Sequence, residues 1–227
     1  MIFILSADAV TPARPFTLTV REHGRSLART FPMPDVHAAT MAPIAIASLA
    51  ALVGLFAVLD ARDGDRRATL AGLRPGALLA ARLGVLALAA LLATAVSLAT
   101  TASFFNATRW PTYAAANALI ALTYGLIGAL LAPIFGSVGG VFMAFLLPFL
   151  DIGIVQSPML HPEPATLANL LPGYGSSRVL LDAALTRGFD ELTPLLIAIG
   201  WLVALLMIVA VVYRRTTVPA ARRRQAR

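Results

Sequence analysis

Asp151 interrupts an apolar run, LLPFLDIGIVQ, and Gln156 follows five residues later. An ionisable side chain in such a setting is a functional candidate by default. It could line a path, carry a proton, pair with Arg178, or merely end a helix in the headgroup layer, and the structural roles are favoured. For acid–base hydrolysis within a membrane two acids must share a site, and no second acid lies in an apolar run. A serine nucleophile would need a G-x-S-G serine with a histidine partner inside the spans, which neither GSVGG (136–140) nor GYGSS (173–177) supplies. His23, His37 and His161 lie outside the apolar runs and are too scattered for a metal site. DGDRRA, Asp63 to Ala68, offers two carboxylates of the kind that metal-dependent phosphoryl chemistry uses, yet after Asp65 the next acid is Asp151. With no cysteine, thiolate nucleophiles, disulfides and cysteine-bound zinc are excluded. With no lysine there is no P-loop or Schiff-base amine. The chain is expected to be no enzyme and to hold no metal or cofactor of its own.

The elements around these residues follow from composition. Hydrophobic residues make up 59% of the 227 and charged residues 13%, and a mean hydropathy of +0.81 calls for a membrane as solvent. At roughly 20 residues per crossing, the uncharged runs give spans at about 41–59, 83–105, 113–133, 138–157 and 192–213. The stretch 110–150 has no charge and twice the length one helix needs, with proline and glycines at its middle in APIFGSVGG, so it reads as two helices joined by a tight turn. An all-α polytopic membrane protein with five transmembrane helices is expected.

Arginines orient it. Arg62, Arg66, Arg67, Arg74 and Arg82 follow the first span, and Arg214, Arg215, Arg222, Arg223, Arg224 and Arg227 follow the last. By the positive-inside rule the 60–82 loop and the 214–227 tail are cytoplasmic. Residues 1–40 are then an external segment, although Arg14, Arg21, Arg25 and Arg29 argue against export without a signal peptide. A missing upstream span, with 1–40 as the remnant of a truncated region, would reconcile the two. The net charge of +7 therefore reads as topology, with no nucleic-acid partner.

Within the loop, RRATLAGL (66–73) predicts a short helix with Leu70 and Leu73 on one face, which Pro75 stops while starting the next helix. A solvated connector is the plainer alternative. On the opposite side, Pro158, Pro162, Pro164, Pro172, Gly173 and Gly175 force short pieces, and Ser176 or Ser177 is placed to cap a helix ending near Thr186.

RRATLAGLRPGALLAARL (66–83) resembles the charged T-L-x-x-L-x-x-P-like loop of type-2 ABC exporter permeases, and LANLLPGYGSSRVLLDAAL (167–185) is similar to that family's outer segment. The likeness covers about residues 36–216 and rests on order and spacing. The family's usual first span, of six, has no counterpart here. The resemblance implies a permease subunit of an ATP-driven exporter in a bacterial plasma membrane, paired with a second permease subunit and driven by a separate ATPase that binds ATP and Mg. Arg66, Arg67, Leu70, Leu73, Arg74 and Pro75 would form the ATPase-coupling element. Asp151, Gln156, Pro172, Gly173 and Arg178 would belong to the outer gate or path, beside short re-entrant-like helices. A non-transporting membrane scaffold or assembly subunit is the alternative function.

Overall fold

The computed structural model describes residues 14–22, 25–103, 105–161 and 166–217, with the backbone alone of Glu22, Arg62, Asp63, Arg66, Thr166, Thr216 and Thr217. Two strands, β1 (Pro15–Glu22) and β2 (Arg25–Pro32), precede the helices α1 (Met33–Leu59), α2 (Arg62–Leu70), α3 (Pro75–Thr101) and α4 (Trp110–Pro148). A π-helical turn (Phe149–Val155) and a 3₁₀ turn (Thr166–Leu170) lead to α5 (Pro172–Leu185) and α6 (Leu192–Thr217). Among the described residues, four helices are long and apolar enough to cross a bilayer: α1, α3, α6, and α4 with its π turn.

The 46 residues from Trp110 to Val155 would span about 69 Å if straight, over twice a bilayer core. They are not straight. Gly136 has φ 66° and ψ −157°, a region that a side chain excludes and that glycine alone occupies freely. Tyr124 and Asp151 lie 27 residues apart, about 40 Å along an unbroken helix, and yet the Tyr124 hydroxyl donates to Asp151 Oδ2 at 2.6 Å. The chain therefore doubles back at Gly136, and the two arms of α4 run antiparallel.

α1 fits between these arms because small residues let the backbones touch. A Cβ on Gly128 would collide with the Ala51 carbonyl, and one on Gly54 with the Gly125 carbonyl, the close approach that glycine permits between membrane helices. The Tyr113 hydroxyl donates to the Ala39 carbonyl at 3.1 Å, so α1 runs parallel to the first arm. Leu55 covers Gly140, and Ile44 reaches Gly153, so it runs antiparallel to the second. Tyr113, Tyr124, Ile120 and Leu55 are buried in this three-helix core. α3 and α6 join through Leu79, Leu86, Leu126, Ala129, Leu205 and Val209. Leu88, Leu92, Val96, Val138, Phe142 and Met207 face outward, an apolar exterior that suits lipid rather than water.

The helical fold carries one β-hairpin among the described residues. β1 and β2 pair antiparallel from Pro15↔Pro32 to Glu22↔Arg25, and Leu18 and Val20 pack on Val36, with Phe16, Phe31, Met159 and Leu185 around them. The 1–40 segment thus contains a hairpin seated on the ends of α1 and α5, and α1 starts at Met33, eight residues before the apolar run at 41. α3 likewise starts at Pro75 rather than near 83, placing Arg82 inside the helix. Helical hydrogen bonding continues past the apolar stretch into polar residues, which a count of apolar residues cannot detect.

The loop helix is also shifted. α2 spans Arg62–Leu70, and Gly72, at φ 99°, ends it. The Leu73 N–H donates to the Ala68 carbonyl at 3.0 Å and the Gly72 N–H to the Thr69 carbonyl at 3.1 Å, the paired bonds of a Schellman ending. Leu73 thus lies beyond the helix instead of one turn along its face. α5 starts at Pro172 with Leu171 as N-cap, so Ser176 and Ser177 are buried within it and cap nothing.

Candidate functional site

Two places gather the sequence candidates. At the loop, Leu70 is 67% exposed and Leu73 54%, with Arg67 and Arg74 exposed beside them. Pro75 opens α3, where its missing N–H costs nothing. The Arg66 side chain lies outside the described residues.

What holds this surface is Asp65, only 4% exposed. Its Oδ1 accepts from Arg82 Nη2 at 2.9 Å, and its Oδ2 from the Tyr213 hydroxyl at 2.8 Å and Arg82 Nε at 3.4 Å. Its carbonyl accepts from Thr69 Oγ1 at 2.8 Å. One carboxylate therefore fastens α2 to α3 and to the end of α6.

On the other side, Asp151 is 8% exposed. Besides Tyr124 it accepts from the Gly173 N–H at 2.9 Å and from Gln156 Nε2 at 3.4 Å. Gln156 Nε2 also reaches the Ala168 carbonyl at 2.9 Å. Pro172 supplies the first position of α5 without an N–H, so Gly173 carries the first free donor, and Asp151 caps the helix from a distant part of the chain. A Cβ on Gly173 would stand 2.8 Å from the carboxyl oxygen, so a side chain there would push the carboxyl aside. The π turn, marked by the Gln156 N–H donating to the Asp151 carbonyl at 2.8 Å, lies where the carboxyl is presented, as such insertions often do.

Arg178 does not pair with Asp151. It stands five residues past Gly173, about 7.5 Å further along α5, where its Nη2 reaches Glu191 Oε1 at 3.2 Å. Burial pushes the Glu191 carboxyl above the usual carboxylate range, and Arg178 opposes that shift without cancelling it. Arg109 pairs with Asp182, while the Thr108 and Arg109 N–H groups donate to the Ala184 and Ala183 carbonyls. α5 is thus fastened at both ends by groups outside itself.

Sequence reasoning placed Asp151, Gln156, Pro172, Gly173 and Arg178 in one region; the structure brings Gln156 and the Gly173 N–H onto Asp151, with Pro172 opening the helix, and sends Arg178 to Glu191. It missed Tyr124, Asp182, Asp65, Arg82 and Tyr213. Asp65 and Arg82 entered only as motif and topology, because nothing local pairs residues so distant. Among the described residues, no group of three or more His, Asp or Glu side chains converges to hold a metal ion. No family model, no curated protein and no solved structure matches this chain.

Proposed function

We propose that this chain is a membrane-spanning permease subunit of an ATP-driven exporter, pairing with a second permease subunit and receiving work from a separate ATPase that binds ATP and Mg. The observation that carries this reading is the loop surface. Leu70 at the end of α2 and Leu73 just past its Schellman turn present apolar area to water, with α2 braced from behind by Asp65, and arginines on their rim suit an acidic groove on a soluble partner. The resemblance of residues 66–83 to a coupling loop points the same way. ATPase closure would displace α2 and move α3 and α6, and the outer helix α5 would respond at the other end of the bundle.

In this reading each arm of α4 crosses the membrane, which makes five spans with Gly136 on the loop side. Ser137 and Leu167 are exposed, and the chain has no cysteine of its own. A membrane-impermeant maleimide is expected to label Leu167→Cys in intact cells and Ser137→Cys only after permeabilisation. Labelling of both from one side sinks the five-span arrangement.

Docking is tested by Leu70→Asp with Leu73→Asp. Each buried leucine anchor is typically worth about 1.5 to 3 kcal/mol, so losing both is expected to weaken binding of a co-purifying P-loop ATPase by roughly 100-fold or more, with the spans still inserted. Undiminished binding by the double variant removes the coupling role and favours a scaffold.

A further inference from the structure

We infer that Asp65 is a positioning residue that joins α2, the start of α3 and the end of α6 into one body, so that a displacement of α2 is delivered directly to the last span. The inference rests on reading α2 as the ATPase-docking element, and it names the joint through which docking would act.

The geometry is specific. Asp65 lies one turn from the Thr69 it bonds and points away from the exposed Leu70, so the same short helix carries an outward apolar surface and an inward anchor. Arg82 meets both carboxylate oxygens with two nitrogens, which fixes direction as well as distance. Tyr213, 148 residues from Asp65, adds a third attachment from α6. A connector that only linked two spans would need none of these bonds. Arg82 is also the last arginine of the cluster that topology alone would explain, and its side chain is turned to Asp65 instead of standing free in solvent.

The test uses the full chain, reconstituted in lipid nanodiscs, with nitroxides at Ala71→Cys and Val211→Cys, both exposed positions. The distance distribution between them is expected to be narrow, and at least twofold broader with Asp65→Asn. Tyr213→Phe, which leaves the arginine pair intact, is expected to broaden it less, and reversing the pair with Asp65→Arg and Arg82→Asp is expected to restore part of the order. An unchanged width in Asp65→Asn overturns the joint, whether or not an ATPase binds. With the co-purifying ATPase present, ATP and Mg are expected to shift the distance between labels at Ser137→Cys and Val211→Cys. Asp65→Asn is expected to abolish that shift even at ATPase concentrations that saturate docking of the variant. A shift that survives the substitution overturns the transmission role. Failure of the native chain to bind any ATPase overturns the docking reading, and the width measurement still decides the joint.

Discussion

Asp151→Ala is expected to lower stability by about 3 to 5 kcal/mol, because it strands the Tyr124 hydroxyl and the Gly173 N–H in the core, and each buried orphan costs about 1 to 3 kcal/mol. The effect should be read as a loss of thermal stability in detergent, with early release of α5, since the carboxyl accepts from that helix's first free N–H. Asp151→Asn is expected to cost far less, about 1 kcal/mol. Its remaining oxygen, in the Oδ2 position, still accepts from both Gly173 and Tyr124, and only the 3.4 Å contact from Gln156 to Oδ1 is given up. An alanine variant as stable as the native chain would mean that the carboxyl does not hold α5, and a collapse of the asparagine variant would point to a requirement for charge.

The second large effect is expected at the crossing of α1 and α4. Gly128→Ala places a methyl group inside the Ala51 carbonyl, and because the obstacle is backbone, the helices must separate. A cost of about 2 to 3 kcal/mol follows for alanine, and Gly128→Leu is expected to prevent isolation of a monodisperse chain. Gly200→Ala in α6 is the control, since its Cβ meets nothing within 4 Å. That change is expected to be neutral or to stabilise by up to about 1 kcal/mol, through helix propensity alone. Equal melting temperatures for Gly128→Ala and Gly200→Ala would contradict the backbone contact. The comparison separates glycine as a packing requirement from glycine as a mere small residue.

Much of the helical plan was legible because lipid leaves a plain record: runs of about 20 apolar residues, arginine clusters between them, and proline with glycine where α4 turns at Gly136. Asp151 stood out because a carboxyl is costly in apolar surroundings. The contacts of these residues were not legible. Gly173 reads as a helix breaker until Pro172 is seen to leave it the first donor of α5. Arg178 and Asp151 are both polar members of the outer region, and only the rise along α5 separates them. The β1–β2 hairpin was hidden because apolar counting discards six-residue alternations such as FTLTVR, although Phe16, Leu18 and Val20 fall on one face at strand period. Leu73 was misplaced because a left-handed Gly72 leaves the i, i+3 spacing intact while ending the helix that gives the spacing its meaning.

The bond between Tyr213 and Asp65 closes a loop of 148 residues, and this separation has a temporal meaning. A chain is made from its N-terminus at roughly 5 to 20 residues per second, so the ribosome must work for many seconds after α2 emerges before Tyr213 exists. Throughout that interval α2 has at most its arginine partner, and α6 is still unmade. The exposed surface of Leu70 and Leu73 therefore reaches its final seating only on a polypeptide already synthesised through residue 213. Under the proposed docking role, nascent or prematurely terminated chains would offer a looser surface, and the fold itself would rank finished chains above unfinished ones at the moment of binding.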